Sequence, residues 1–310
     1  MQKFENTNKT EIFLLIKKLK NKTNNNELVL CNSFVKVINS QISIIFSFFV
    51  NLFYNVAYIP LELKKALILP KHKKGKKNNI LNYRPIANIS VLAKLLERNI
   101  LIRIQKLAYA NNLIDSNQFA YQKNISINEA LLTKTDFIYN AFNENNNVLA
   151  IYLDLTRAFE TINHKILLAK LENYGFHNKS LKLLEDYFCD RKQITIVNKH
   201  YSDSSSVKVG VPQGTILGPW LFIVFLNDIF KTSSLPKIIC FADDTLLLYT
   251  IEKNCNLLSH EIYTSLNDIA NWFDSNLLLL NESKSNFMLY SQTIKNKLPK
   301  YIVALGDKII

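Results

Sequence analysis

The sequence predicts an α+β fold, because one chain carries both buried strands and long amphipathic helices. Val148–Leu153 is a continuous apolar run of strand length. Ile238–Ala242 and Leu246–Tyr249 are two apolar runs on either side of a short polar tip, which predicts a β-hairpin. Val91–Leu107 and Ser126–Phe142 carry apolar residues at helical spacing and predict two long helices.

Composition indicates a folded, basic protein. The 310 residues are 48% hydrophobic and 20% charged, which is typical of a globular chain and not of a disordered one. The net charge of +13 favours a polyanionic partner, either nucleic acid or an anionic membrane surface. The N-terminus lacks the apolar core of a secretion signal, so we expect a nuclear or cytoplasmic protein. The four cysteines lie far apart without metal-ligand spacing, and we expect reduced thiols.

The N-terminal part predicts helices. Glu11–Leu19 is amphipathic and predicts a surface helix, and Leu28–Tyr58 is apolar at helical spacing and predicts one or two packed helices. Within it, Ile42–Tyr58 approaches membrane-spanning length, although two asparagines interrupt it. A buried helix and a membrane span are both open at this point.

A basic region follows a short strand predicted at Ala66–Leu69. Pro70–Asn79 contains five lysines around one glycine, which predicts a flexible loop suited to phosphates. Arg84 is held extended by Pro85 and is placed for bidentate phosphate contact. The alternatives are a solvated lysine surface and a surface salt bridge of Arg84.

The second half of the chain alternates short elements. Gly210–Trp220 holds three of the six glycines and two of the seven prolines, which predicts a tight loop that packs closely on another part of the protein. The other predictions are helices at about 161–174, 181–188, 220–230 and 257–276, paired strands at 191–198 and 206–209, and a helix end, strand, turn and strand over 271–291.

Three carboxylates stand at strand ends. Asp154 follows the strand Val148–Leu153, and Asp243 and Asp244 lie at the tip of the hairpin. Adjacent carboxylates between buried strands repel each other, and hard oxygen ligands suit Mg²⁺. Three such groups from two places in the chain could hold two Mg²⁺ ions roughly 3.5–4 Å apart, as nucleotidyl transfer requires. The alternative is an exposed turn with two solvated acids.

Six sequence blocks resemble the reverse transcriptases of non-LTR retrotransposons, of the jockey or LINE type. The resemblance covers about residues 60–295. In order, the blocks are NYRPIANISVLAKLLERNI, NQFAYQKNIS, LDLTRAFETINHKIL, GVPQGTILGPWLF with LND, FADDTLLLY and WFDSNLLLLNESKSNFM. The resemblance implies a right-hand polymerase fold with fingers and palm, and an RNA-directed DNA polymerase. Its partners would be an RNA template, a DNA primer and dNTPs, without a membrane.

The same resemblance implies roles for individual residues in the palm. Asp154, Asp243 and Asp244 match the family's metal-binding carboxylates, which hold two Mg²⁺ ions, with Mn²⁺ as a substitute. Phe159 matches the steric gate, whose ring excludes a ribose 2′-hydroxyl. Its alternative role is that of a core aromatic. Lys284 matches a palm lysine that protonates the departing pyrophosphate, and its alternative is a surface lysine.

The loop and finger positions are assigned in the same way. Gln213 and Gly214 match the segment under the incoming nucleotide and the template base. Lys71 and Arg84 match basic finger residues that grip the triphosphate. The domains implied are an N-terminal helical extension at 1–60, fingers at 61–147, a palm at 148–300, and the truncated start of the primer-grip and thumb region at 301–310.

Three positions and the chain end depart from the family pattern. Glu160 and Asn163 stand where Asp is common, and Gln122 stands where Arg is usual. We expect a thumb that is missing or truncated, and a fragment or decayed copy of an element's polyprotein without endonuclease or RNase H parts. The alternatives to a polymerase are a non-catalytic remnant that binds nucleic acid through its basic face, and a membrane-associated protein anchored at residues 42–58.

Overall fold

The computed structural model describes residues 1–20, 31–252 and 260–292, with two further short strands at Ala304–Leu305 and Lys308–Ile309. The fold is mixed, with helices and sheets, as predicted. The chain forms two compact units, each built from two separate segments. The first unit is Met1–Leu113 with Asn163–Leu221, and the second is Ile114–Ile162 with Phe222–Ile310. The limits of fingers and palm remain predictions.

The first unit begins with three helices and a strand pair. Its elements, in order, are α1 (Lys9–Lys17), α2 (Asn32–Val37), α3 (Asn39–Val56), a 3₁₀ turn (Leu61–Lys64), β1 (Lys65–His72), a second 3₁₀ turn (Ile80–Asn82), β2 (Tyr83–Ile89) and α4 (Val91–Ala110). After the second unit's first segment come α7 (His164–Asn173), α8 (Asn178–Phe188), β4 (Lys192–Val197), β5 (His200–Tyr201) and β6 (Ser205–Ser206).

The sheet of the first unit has the strand order β2-β1-β4-β5, with β6 also paired to β4. Strands β1 and β2 are antiparallel from the pair Ala66–Ile89 to the pair His72–Tyr83, and β1 runs parallel to β4. The buried side chains of β1 and β2 pack on Ala93 at the start of α4. Helix α4 is capped by Ser90, whose side chain accepts from the backbone N–H of Ala93.

The long apolar segment near the N-terminus is the helix α3. It ends at Val56, and the next residue, Ala57, adopts a left-handed conformation with φ 54°. Within the described residues, none of the helices combines the length and apolar character that a membrane crossing requires. The predicted buried helix was right for one face of α3, which buries Phe46, Val50, Phe53 and Tyr54. It was wrong for the other face, which exposes Ile44, Ile45, Phe48, Phe49, Leu52 and Val56.

The second unit contains α5 (Ile127–Asn143), β3 (Asn146–Leu153), α6 (Ala158–Thr161), a 3₁₀ turn (Asn227–Lys231), β7 (Lys237–Phe241), β8 (Asp244–Glu252), α10 (His260–Ser275) and β9 (Asn286–Tyr290). Helix α9 (Gly218–Leu226) lies between β6 and the 3₁₀ turn Asn227–Lys231 in the chain. The strand order is β7-β8-β3-β9, and all neighbours are antiparallel. A capping box of Ser126 and Glu129 starts α5.

The sheet of the second unit packs one face on α5. Val148, Ala150 and Leu248 from the sheet share a buried cluster with Ile138 and Ala141 of the helix. The continuous apolar run predicted as a buried strand is thus β3, covered on this face by a helix. Residues 147–151 of β3 are all buried, so both faces of this strand lie in the core.

Several predicted boundaries were wrong. The helix expected from Thr161 starts at His164, because Asn163 caps it by accepting from the N–H groups of Lys165 and Ile166. The strand expected at 206–209 is confined to Ser205–Ser206, since only these residues pair with β4. The strand expected before the last turn is a single bridge between Leu280 and Leu155. The first residues of the helix predicted from Leu257 lie outside the described part of the chain.

Candidate active site

The acidic hairpin is formed by β7 and β8. Its last strand pair joins Phe241 to Asp244, which leaves Ala242 and Asp243 as a two-residue turn. Ala242 takes a positive φ of 58°, a conformation in which Gly or Asn is more usual. The tip predicted at Asp243, Asp244 and Thr245 was therefore wrong at three positions, because Asp244 and Thr245 already belong to β8 and Ala242 belongs to the turn. Asp243 is partly buried and Asp244 is exposed.

Asp154 lies at the same end of this sheet. Strand β3 pairs with β8 up to Leu153, which faces Thr245, so Asp154 is the next residue beyond a pair that adjoins Asp244. Its backbone is fixed on both sides. The carbonyl accepts from the N–H of Asn281 at 2.8 Å, and the N–H donates to the hydroxyl of Ser285 at 3.2 Å. The backbone register thus brings the three predicted acids to one end of one sheet.

The side chain of Asp154 is paired with Lys284. The ammonium of Lys284 lies 2.8 Å from Oδ2 of Asp154, and the two side chains are 47% and 29% exposed. At this exposure the ion pair contributes at most about 1 kcal/mol to stability. Lys284 is therefore placed beside a predicted metal ligand, and its charge compensates the charge of that carboxylate.

The side chains do not form a ready metal cluster. In the described part of the chain, no three His, Cys, Asp or Glu side chains are grouped closely enough to hold a metal ion. The three carboxylates nevertheless lie at one end of the sheet, where the ammonium of Lys284 pairs with Asp154. Convergence of the three carboxylates on metal ions remains a prediction.

Gln118 supports the hairpin turn, a role that no sequence pattern indicated. The segment around it lies along β7, with a parallel bridge between Gln118 and Cys240. Its side chain is fully buried, and Oε1 accepts from the N–H of Ala242 at 3.3 Å and from that of Ala120 at 3.0 Å. Burial and the nearby carboxylate of Asp243 raise the pKa of the Tyr121 hydroxyl. The NQFAY segment therefore lies beside the turn that carries Asp243.

Phe159 is a buried aromatic residue of the second unit. Its ring is 6% exposed and stacks on Phe222, with ring centroids 4.3 Å apart and planes inclined by 14°. This is the packing expected for its alternative role in the core. The steric-gate role remains a prediction.

Lys71 and Arg84 face each other on the strands β1 and β2 of the first unit. They are a registered pair, and both are exposed. Like charges directly opposite each other on a sheet repel, so a bound anion would relieve a repulsion that the fold sets up.

The lysine loop between these strands carries several hydrogen bonds, and its predicted flexibility remains a prediction. The N–H of Lys73 donates to the carbonyl of Asn82, the Asn82 amide donates to the carbonyl of Lys76, and the Tyr83 hydroxyl donates to that of Lys77. These bonds close the loop at its base.

Gln213 and Gly214 lie in a loop that is fitted to β2. The carbonyl of Gln213 accepts from the N–H of Ala87 at 2.7 Å. Gly214 has φ +102°, and a Cβ there would meet the Ala87 carbonyl oxygen at 2.9 Å. This is the close approach that the cluster of glycines predicted. The side chain of Gln213 is partly buried and Gly214 is exposed.

Glu97 and His164 hold the same loop, and neither was identified from the sequence. Glu97 is 3% exposed and accepts from the N–H groups of Ile216 and Leu217. Burial raises the pKa of the Glu97 carboxyl. His164 donates from Nε2 to the Gly210 carbonyl at 2.7 Å, and burial lowers its pKa. Glu97 could have been identified from the sequence, because it is an acidic residue on the apolar face of a predicted helix.

The departures from the family pattern have local explanations. Asn163 is the N-cap residue of α7, and Asp is equally suited to that position. Glu160 is partly exposed at the end of the short helix α6. The side-chain amide of Gln122 donates to the carbonyl of Gln118, the residue whose side chain accepts from the turn.

The fold and site define a mixed α/β protein with acidic residues gathered at one end of an antiparallel sheet. Residues 70–301 match the family described as reverse transcriptase (RNA-dependent DNA polymerase). This match covers well over half of the chain, and the protein belongs to that family. The predicted resemblance to the jockey type is confirmed by the relatives described next.

Curated relatives come from mobile elements. The chain is 29% identical over 263 residues to "Probable RNA-directed DNA polymerase from transposon BS" of Drosophila melanogaster, which is 82% of this chain and 29% of that protein. It is 26% identical over 282 residues to "RNA-directed DNA polymerase from mobile element jockey" of the same species, 88% of this chain and 31% of that protein. The chain therefore spans about three tenths of the length of these relatives.

Proposed function

We propose that this chain carries RNA-directed DNA polymerase activity and adds dNTPs to the 3′-hydroxyl of a primer on an RNA template. The observation that carries the proposal is the register pair Leu153–Thr245, which sets Asp154 at the same end of the sheet as Asp243 and Asp244. The family match over residues 70–301 and the net charge of +13 support a nucleic-acid template and primer. We place its action in the nucleus or cytoplasm.

In the second unit, Asp154, Asp243 and Asp244 would hold two Mg²⁺ ions. The donor set fits, because all three offer carboxylate oxygens, which hard divalent cations prefer. Bound Mg²⁺ would lower the pKa of the primer hydroxyl and stabilise charge on the leaving phosphate. Hydrogen bonds to Asn281 and Ser285 fix the backbone of Asp154, so its carboxylate starts from a defined backbone position.

Lys284 is assigned the protonation of the departing pyrophosphate. Its ammonium donates to Oδ2 of Asp154 at 2.8 Å and so lies beside the proposed metal site, where the pyrophosphate would leave. Phe159 is assigned the exclusion of the ribose 2′-hydroxyl, through the position of a ring that Phe222 fixes by stacking.

In the first unit, Lys71 and Arg84 would bind the triphosphate of the incoming nucleotide. Their direct opposition on β1 and β2 supports this role, because an anion between two repelling cations stabilises both. Gln213 and Gly214 would lie under the nucleotide and the template base. A right-hand arrangement, with the basic strand pair in the fingers and the acidic sheet in the palm, is part of the same proposal.

The test is incorporation of labelled dNTPs on a primed RNA template with Mg²⁺, with Asp243→Asn beside the wild type. Asn keeps the size of the side chain and removes its charge, so we expect loss of incorporation with unchanged RNA binding. Wild-type protein that binds RNA in a salt-sensitive way but incorporates nothing would contradict the proposal and favour a non-catalytic nucleic-acid-binding remnant. Equal use of rNTPs would instead indicate an RNA-templated RNA polymerase.

A further inference from the structure

Glu97 is a buried carboxylate that none of the roles above uses. It lies on α4, and three donors of the first unit surround it. Oε2 accepts from the N–H of Ile216 at 2.7 Å and from that of Leu217 at 3.1 Å, and Oε1 accepts from the Tyr187 hydroxyl at 2.9 Å. A buried carboxylate is costly unless such donors compensate for lost water. The three bonds account for the presence of a charged residue on the apolar face of α4.

The two backbone donors belong to the end of the Gln213 loop. Ile216 and Leu217 directly precede α9, so their N–H groups have no acceptor within that helix. Glu97 supplies the acceptor from a distant part of the chain, 119 residues from Ile216. A carboxylate is also favourable at this position because a helix N-terminus carries partial positive charge.

The loop is thereby held at two places. Toward its beginning, the Gln213 carbonyl accepts from Ala87 of β2, and toward its end Glu97 holds Ile216 and Leu217. Gly214, whose φ is +102°, lies between these two attachments and has no room for a Cβ. Loss of either attachment would free the backbone that presents Gln213 and Gly214.

We propose that Glu97 is a positioning residue for nucleotide binding, which acts by fixing the loop of Gln213 and Gly214 through Ile216 and Leu217. This inference rests on the proposed function, since it needs a dNTP as ligand of the loop. It assigns Glu97 no contact with the reacting atoms. A positioning role predicts that its loss weakens dNTP binding more than it slows the chemical step.

Four variants separate positioning from plain stability. Glu97→Leu removes the acceptor at similar size, whereas Glu97→Gln keeps an oxygen for the two N–H groups. Tyr187→Phe removes one donor to Glu97. Tyr54→Phe is the matched control, because its hydroxyl donates at 2.7 Å to Asn99 on the same helix and makes no bond to the loop.

The measurements are KM and kcat for dNTP incorporation, with amide exchange at Ile216 and Leu217. We expect KM to rise about tenfold in Glu97→Leu with kcat changed much less, because two N–H groups lose a buried acceptor. Exchange at the two amides should rise as well. Glu97→Gln should restore both quantities, Tyr187→Phe should lie between, and Tyr54→Phe should match the wild type.

A normal KM with faster exchange would overturn the inference, because Glu97 would then be structural only. A fall in kcat at constant KM would also overturn it. If Glu97→Leu does not fold, the same KM, kcat and amide-exchange measurements on Tyr187→Phe are compared with those on Tyr54→Phe. A KM that is equal in these two variants would overturn the inference. If the wild type incorporates nothing, the proposed polymerase fails separately, and the dissociation constant for a dNTP replaces KM in the same comparison. Wild-type protein that binds no dNTP would overturn both proposals.

Discussion

Replacement of Gln118 by methionine should loosen the turn that carries Asp243. The Gln118 side chain is fully buried, and its Oε1 accepts from the N–H groups of Ala242 and Ala120. Ala242 is one of the two turn residues and holds a positive φ of 58°. Methionine fills a similar volume but offers no comparable acceptor, so both N–H groups would lose their partner.

The loss of local stability in Gln118→Met follows from the number of N–H groups that lose their acceptor. Each buried N–H that loses its acceptor costs about 1–3 kcal/mol. The variant also removes Nε2 of Gln118, which is buried and has no hydrogen-bond partner in the described part of the chain. Because Nε2 lacks a partner among the described residues of the wild type, its removal regains about 1–3 kcal/mol and offsets the cost of one of the two N–H groups. The net effect is a loss of about 2 kcal/mol in local stability, equivalent to about a 30-fold change in an equilibrium constant.

Amide exchange at Ala242 measures this effect, because exchange there requires the turn to open. We expect exchange about 30-fold faster in Gln118→Met, together with reduced dNTP incorporation. Asn117→Ala is the control, since the Asn117 side chain bonds to Asp115 and not to the turn. Unchanged exchange at Ala242 in Gln118→Met would refute the role of Gln118 in holding the turn.

Two further predictions concern the Gln213 loop. Gly214→Ala should destabilise the first unit by about 1–3 kcal/mol in urea unfolding, because φ +102° is strained for alanine and its Cβ would lie 2.9 Å from the Ala87 carbonyl oxygen. An unfolding midpoint equal to that of the wild type would contradict this close approach. Burial lowers the pKa of His164 below 6.5, so the unfolded chain binds the proton more readily. Stability should therefore fall as the pH drops through 6.5 and below, and less so in His164→Gln. The same pH dependence in both proteins would exclude His164 as its source.

Periodicity predicted the elements well because it reports local burial. The helix predicted at Val91–Leu107 is Val91–Ala110, and the strand predicted at Val148–Leu153 is Asn146–Leu153. In both, the apolar residues repeat at the spacing that the element itself imposes. The α+β class and the family followed from these elements and from the order of the motifs.

The supports of the site could not be predicted because their partners are distant in the chain. Glu97 bonds to Ile216 across 119 residues, and Gln118 bonds to Ala242 across 124 residues. The hairpin turn was misplaced because Ala242 adopts a positive φ that no Gly or Asn signals. Such positions are specified by the tertiary structure around them, and not by local propensity.

The central claim is that Asp154 and Asp243 hold the same pair of metal ions. Iron-mediated cleavage tests this most directly, since Fe²⁺ bound in place of Mg²⁺ reduces added hydrogen peroxide to hydroxyl radicals, which cut the backbone next to the ion. We expect cuts around Asp154 and around Asp243 in the wild type, suppressed by added Mg²⁺, with both sets lost in Asp154→Asn. Cuts at only one of the two segments, or cuts that persist in Asp154→Asn, would contradict this claim.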